Sequence, residues 1–110
     1  MDERLEKALE FSKYLETYNN QKQILLKQFL NECIIYHNGG KFTIDRNLIL
    51  YANIGNSDIL IDDNNIPIEI HDTKLFYETI KKQYENAVLK YSSQLKKISK
   101  NKDVSGLIDG

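Results

Sequence analysis

The segment Tyr36-His37-Asn38-Gly39-Gly40-Lys41-Phe42-Thr43-Ile44 lies where a helical sequence pattern ends and a strand pattern begins. Before it, residues 3–37 contain neither glycine nor proline. Because glycine accepts the left-handed conformation that a helix C-cap needs, Asn38-Gly39-Gly40 predicts the end of a helix. After it, residues 41–44 alternate polar and apolar side chains, which is typical of a short strand. We therefore expect a long helix followed by a smaller region that contains strands.

The predicted helix over residues 3–37 has apolar side chains at steps of three and four, which place them on one face. That face is formed by Ala8, Phe11, Leu15, Tyr18, Leu25, Phe29, Cys33 and Tyr36. A second apolar row appears only after residue 24 and consists of Leu26, Leu30 and Ile34. We therefore expect the second half of the helix to be buried more deeply than the first.

The small region, residues 41–70, closes one end of the predicted helical hairpin, and that end contains the predicted core. Asp45 suits a helix N-cap, so residues 46–54 predict a short helix, with a strand as the competing interpretation. Two β-branched segments flank Asp63-Asn64-Asn65 and predict a β-hairpin over residues 58–70. The expected core consists of Ile34, Ile35, Tyr36, Phe42, Ile44, Leu48, Ile49, Ile59, Ile61, Ile68 and Ile70.

A second long helix is predicted over residues 73–100, which again lack glycine and proline, with Asp72 or Thr73 as its N-cap. Tyr77, Tyr84 and Tyr91 recur every seven residues, a spacing typical of a coiled-coil seam. The same face carries Ile80, Ala87, Leu95 and Ile98. Residues 102–110 follow the seam, and we expect them to form a flexible tail.

These elements predict a mostly helical α+β fold in one elongated domain. Two long antiparallel helices are joined by a small region with a short strand, a short helix and a β-hairpin. Helices of about 35 and 28 residues would measure about 52 and 42 Å, whereas a compact chain of this length has a radius of gyration of about 13 Å. Because two helices alone bury little apolar area, we expect association with another copy or another protein. The predicted contact residues are Phe11, Leu15, Tyr18, Tyr77, Tyr84 and Tyr91.

The charge of the chain is nearly balanced, with a net charge of −1 over 110 residues. This balance excludes a strongly basic protein that wraps nucleic acid and an acidic mimic of nucleic acid. Residues 1–70 carry a net charge of −4 and residues 71–110 a net charge of +3, which favours pairing of the two long helices. A single cysteine forms no internal disulfide and indicates a reducing compartment. We expect neither a secretory signal nor a membrane span.

No motif in the chain predicts catalysis, and we expect neither an enzymatic activity nor a cofactor. Cys33, His37 and His71 could hold a metal ion if they met, but no fourth ligand accompanies them. We expect Cys33 to be a small buried apolar residue and the two histidines to lie at helix ends. The acidic and amide residues Asp58, Asp62, Asp63, Asn64 and Asn65 resemble a calcium loop at first sight. Counted from Asp62, however, the fifth position is Ile66 and the sixth is Pro67, where the loop needs an oxygen ligand and a glycine, so a solvated hairpin turn is expected there.

The lysines of the last helix support a second interpretation, in which the helix contacts phosphates. These residues are Lys81, Lys82, Lys90, Lys96, Lys97 and Lys100. The interleaved tyrosines could stack on bases, but their seam positions favour packing within the protein. Residues 104–108 are apolar and could form a short docking motif. The alternative to an assembly role is therefore a regulator that binds nucleic acid or a host protein through the last helix and tail.

Residues 36–44, with Leu9-Glu10-Phe11 upstream and residues 61–68 downstream, resemble small proteins encoded by tailed myoviruses of marine cyanobacteria. The resemblance covers most of the chain, and that family has no assigned activity or site residues. It implies a bacteriophage protein with a structural or assembly role, located in the virion or the host cytoplasm. The predicted layout is also similar to that of prefoldin-like chaperone subunits, by analogy of topology alone.

Overall fold

The computed structural model describes the backbone of residues 3–54 and 58–109 and the side chains of residues 3–54 and 58–99. The elements in chain order are α1 (Glu3–Glu32), β1 (Ile34–His37), β2 (Gly40–Thr43), α2 (Arg46–Ile54), β3 (Ile59–Ile61), β4 (Pro67–Glu69) and α3 (Thr73–Asp109). The long helices α1 and α3 pack together, and two β-hairpins and the short α2 lie between them in the chain. The predicted mostly helical α+β fold is confirmed.

The chain divides into two units. Unit 1 comprises Met1–Gln28 and Lys90–Gly110, and its described part consists of turns of α1 and α3. Unit 2 comprises Phe29–Leu89 and contains both hairpins, α2 and the remaining turns of the two long helices.

The end of the first helix differs from the sequence prediction. α1 ends at Glu32 and not at residue 37, because residues 34–37 form β1 and pair antiparallel with β2. Between these strands, Asn38 and Gly39 have φ angles of 48° and 83°. Two successive left-handed residues are what a type I′ turn requires, and Asn-Gly is the pair that adopts it most readily. The Asn-Gly pair therefore closes a hairpin and does not cap a helix.

The predicted helix caps are confirmed. The Leu48 N–H donates to Asp45 Oδ1 over 2.7 Å at the start of α2. In the same way, the Leu75 N–H donates to Asp72 Oδ1 over 2.9 Å at the start of α3. Each carboxylate accepts from the third residue after it, which is the N-cap arrangement, so Asp72 rather than Thr73 caps the last helix.

The last helix extends further than predicted. α3 continues through Asp109, so the tail expected to be flexible over residues 102–110 is helical as far as Asp109. Gly110 lies outside the described residues, and so do the side chains of the apolar segment 104–108.

The buried core lies in unit 2, as predicted for the small region, but it also includes residues of α3. Its members are Cys33, Phe42, Ile44, Leu60, Ile68, Ile70, Phe76, Ile80 and Ala87. The rings of Phe42 and Phe76 meet edge to face with their centroids 5.6 Å apart, an arrangement favourable for aromatic pairs. The His37 ring lies 5.1 Å from that of Phe76.

Three residues expected in the core are exposed, namely Tyr36, Ile59 and Ile61. Side chains alternate between the two faces of a strand, and in β3 the inward residue is Leu60. The isoleucines on either side of it therefore point outward. The remaining predicted core residues are buried or half-buried.

Gly40 allows the two hairpins to approach closely. A Cβ atom added there would lie 2.5 Å from Ile68 Cγ1 and 2.9 Å from Ile68 Cδ1. Real Cβ atoms do not come this close to another atom, so a residue larger than glycine would require the Ile68 side chain or one of the two hairpins to shift.

Candidate functional site

The turns of α1 and α3 in unit 1 form a helix pair, which we call the unit 1 helix pair, and its described apolar side chains are half-buried or exposed. None of the side chains of residues 3–28 and 90–99 is buried. Leu5, Leu9, Phe11 and Ile24 each expose between 43% and 55% of their surface. Because burial of an apolar face supplies most of a helix's stability in proteins, this pair is the part of the chain that would gain most from a partner.

A groove of about 300 Å³ opens between α1 and α3 within unit 1, and we call it the unit 1 groove. It is lined by Gln21, Ile24, Leu25, Gln94, Lys97 and Ile98. Half of this lining is aliphatic, and Lys97 supplies its one charge. A groove with three aliphatic side chains and one positive charge suits an apolar side chain that has an acidic neighbour.

The predicted contact residues of the helical seam divide between the two units. Unit 1 contains Phe11, Leu15, Tyr18 and Tyr91. Of these four, Phe11 is exposed and the other three are half-buried. Tyr77 and Tyr84 are half-buried in unit 2, where the Tyr84 ring packs against Phe29 with centroids 6.1 Å apart. Tyr84 therefore packs against the unit 2 core of its own chain.

The lysines predicted to contact phosphates are exposed wherever their side chains are described. They are Lys81, Lys82, Lys90, Lys96 and Lys97. The side chain of Lys100 lies outside the described residues. The three seam tyrosines are half-buried, which leaves their rings only partly open for bases to stack on. The lysine-bearing face of α3 thus offers positive charge, but its three seam tyrosines do not offer fully open rings for base stacking.

Asp62 is a structural residue that the sequence prediction placed in a solvated turn, and it is buried instead. Its Oδ1 accepts hydrogen bonds from the Asn64 N–H at 3.0 Å and the Ile66 N–H at 2.8 Å, and its Oδ2 accepts one from the Lys41 N–H at 3.1 Å. These bonds, the one from Ile66 first, hold the pKa of Asp62 below its ordinary value of 3.8, against the opposing effect of burial. The bond from residue 64 is the local turn that aspartate commonly forms, which was the signal in the sequence.

Asp63 makes a second connection from the same turn to β2. Its Oδ1 accepts a hydrogen bond from the Thr43 N–H at 3.1 Å, and its Oδ2 accepts one from the Thr43 hydroxyl at 2.5 Å. The Asp63 N–H in turn donates to the Lys41 carbonyl at 2.8 Å. Through these bonds to the backbone and the Thr43 hydroxyl, the acidic turn joins the two hairpins.

The residues considered as metal ligands do not form a site. Among the described side chains, no group of three or more His, Cys, Asp and Glu residues is placed to hold a metal ion. His37 is the last residue of β1 and not a helix-end residue as expected. Cys33 is buried, as predicted, and burial raises the pKa of its thiol, with a smaller contribution from the Glu32 carboxylate. A thiol with a raised pKa is a poor nucleophile at neutral pH.

No helix in the described part of the chain is long and apolar enough to cross a membrane. Comparison of the chain with protein-family models, with curated proteins and with solved structures found no match. The resemblance to proteins of cyanobacterial myoviruses therefore stays a prediction, as does the location in a virion or host cytoplasm.

Proposed function

We propose that this chain is a non-enzymatic assembly protein that acts by binding a second copy of itself through the unit 1 helix pair. One observation supports this proposal above the others: no side chain among residues 3–28 and 90–99 is buried. The seam between the two helices is only half-buried, at residues such as Leu15, Tyr18 and Tyr91. Because burial of an apolar face supplies most of a helix's stability, a further surface against this pair would stabilise it.

The apolar side chains of unit 1 give the association its driving force. Leu5 and Leu9 are about half exposed, and so is Ile24. Covering the exposed half of one such side chain contributes about 1 kcal/mol at ~25 cal/mol per Å². In a symmetric dimer the same residue is covered in both copies, so a few residues together contribute several kcal/mol to the free energy of association. Part of this free energy offsets the entropy lost on association.

In the context that the sequence resemblance implies, the protein would be a structural or assembly component of a bacteriophage. The alternative is a regulator that binds nucleic acid through the lysines of α3. It has less support, because the tyrosines that would stack on bases are half-buried.

The test is the molar mass in solution, measured by light scattering from low to high micromolar concentration. We expect a mass of at least twice 12.9 kDa at high concentration. Ile24→Glu should shift the equilibrium toward the monomer, because it places a charge on the association surface. The matched control is Leu89→Glu, which changes an even more exposed apolar residue of unit 2 and should leave the mass unchanged.

A monomer at high micromolar concentration would contradict self-association. Binding to DNA or RNA that weakens steeply with salt, together with a monomeric mass, would instead favour the regulator.

A further inference from the structure

We propose that the unit 1 groove binds the Leu5–Leu9 turn of α1 from a second copy of this chain. This inference rests on the proposed function and specifies which surfaces meet. Leu5 and Leu9 lie one turn apart on the same side of α1, and they expose 50% and 47% of their surface. The groove is open to solvent, has a volume of about 300 Å³ and offers three aliphatic side chains, Ile24, Leu25 and Ile98, against which a leucine can pack.

A chain cannot fill its groove with its own Leu9. The groove begins on α1 at Gln21, which is twelve residues beyond Leu9. At ~1.5 Å per residue, the two positions are about 18 Å apart along the same continuous helix. The Leu5–Leu9 turn that enters the groove must therefore come from another copy. If each copy inserts its turn into the other's groove, the contact is reciprocal and closes as a twofold dimer.

Charge complementarity supports the same pairing. Glu3 and Glu6 lie in the first turn of α1, where they complement the helix dipole. Glu10, which follows Leu9 directly, lies beyond that turn and has no such role. Lys97 lines the groove, and among the described side chains it has no ion-pair partner. Insertion of the Leu5–Leu9 turn would place the acidic Glu10 of one copy near the basic groove of the other.

The segment of α3 that borders the groove carries only positive charges. Residues 90–99 contain three lysines and no acidic residue, whereas residues 3–10 of α1 carry a net charge of −1. The opposite charges favour the meeting of these two segments. They also disfavour a parallel dimer, in which the basic segments of the two copies would face each other.

A disulfide cross-link tests the contact directly. The double variant Leu9→Cys with Gln94→Cys places thiols on the inserted turn and on the groove, and mild oxidation should then produce a covalent dimer. Each single variant is a control and should remain uncrosslinked, since a disulfide needs Cα atoms within about 7 Å of each other. The native Cys33 is buried and does not compete.

Exchange of two charges provides a second measurement, which needs no introduced cysteine. Lys97→Glu and Glu10→Lys should each weaken the dimer, raising its dissociation constant about threefold or more. The double variant should recover most of this loss, because exposed ion pairs contribute about 0.2–1 kcal/mol and the exchange restores the attraction. Circular dichroism confirms that each variant keeps its helices.

The outcomes separate this inference from the proposed function. A covalent dimer together with recovery in the charge exchange supports it. A dimer by light scattering that neither cross-links nor responds to the charge exchange overturns the groove contact and leaves the proposed function standing. A monomer at high micromolar concentration overturns both.

Discussion

At the scale of single residues, two adjacent aspartates hold the hairpins of unit 2 to each other. Asp62 and Asp63 lie in the turn between β3 and β4, and both bind β2. Together they accept four of their hydrogen bonds from backbone N–H groups and one from the Thr43 hydroxyl. A carboxylate is suited to this position because it can accept several hydrogen bonds and donates none when ionised.

Replacement of Asp62 by asparagine should lower the urea concentration at which the protein unfolds at pH 7. The asparagine can keep Oδ1 for the Asn64 and Ile66 donors, but its NH₂ group would face the Lys41 N–H, so one bond is lost. Urea unfolding followed by circular dichroism measures the effect. Asp58→Asn, a change of an exposed aspartate in the same hairpin, should have little effect on the midpoint.

The same variant should change how stability depends on pH. The pKa of Asp62 is lower in the folded protein than its ordinary value of 3.8. Its contribution to the free energy of unfolding is therefore fully present above about pH 5 and is lost as the pH falls through the folded-state pKa. As the pH is lowered from 5 to below 3.8, the free energy of unfolding should fall further for the wild type than for Asp62→Asn. Equal losses in the two proteins would contradict the hydrogen-bonded carboxylate.

At the scale of elements, one side chain of α3 satisfies the end of α1 inside unit 2. Gln83 Nε2 donates to the Glu32 carbonyl at 2.8 Å and to the Ile34 carbonyl at 3.0 Å. The last carbonyls of a helix have no partner within the helix. Gln83 thus allows the chain to leave α1 and enter β1 next to the core.

Gln83→Glu should destabilise the protein, and more strongly at pH 7 than near pH 4. An ionised carboxylate donates no hydrogen bond and would face two carbonyl oxygens, at a cost of about 1–3 kcal/mol in the free energy of unfolding. Protonation restores one donor, so the loss should shrink in acid. Asn86→Asp introduces a similar charge at an exposed position of the same helix and should show little of this pH dependence. Thermal unfolding at both pH values measures the difference.

The sequence predicts most elements of this fold because their signals are local. Asp45 and Asp72 identify two helix starts, and the long segments without glycine or proline identify α1 and α3. The hairpin β1–β2 was missed because Asn38-Gly39 is compatible with both a helix end and a type I′ turn. The β-branched residues before it, Ile34 and Ile35, were the signal for a strand.

The buried face of β3 and the role of Asp62 were harder to predict. In Ile59-Leu60-Ile61 all three residues are apolar, so the alternation does not reveal which face is buried, and tertiary packing decides. In the sequence Asp62 looks like any other aspartate in a turn, because its bond to the Lys41 N–H of β2 depends on the tertiary fold. The groove of unit 1 likewise depends on how the two helices pair. The spacing of the seam residues shows which face they share, but it does not show how far each of them is exposed.

At the scale of the whole molecule, the two units differ in what stabilises them. The buried apolar side chains of unit 2 form its own core. The described residues of unit 1 have no such core, so under the proposed function their stability comes from the partner and depends on protein concentration.

Amide hydrogen exchange should reveal this difference. We expect the amides of residues 3–28 and 90–99 to exchange faster when the protein is diluted, because dilution favours the monomer. The core amides of unit 2, such as those of Phe42 and Ile80, should keep the same protection relative to global unfolding and serve as the internal control. Exchange rates in unit 1 that do not change with dilution would contradict a concentration-dependent helix pair.

The placement of the buried residues has a consequence for how a chain of this kind can vary in length. Because no described side chain of residues 3–28 or 90–99 is part of the buried core, whole heptads could be removed from or added to these helices without changing a core contact. A seven-residue change keeps the same face of each helix in register, apart from a rotation of ~20°. The core of unit 2 therefore sets no limit on the length of the unit 1 helices, and under the proposed self-association any limit on that length comes from the contact between copies.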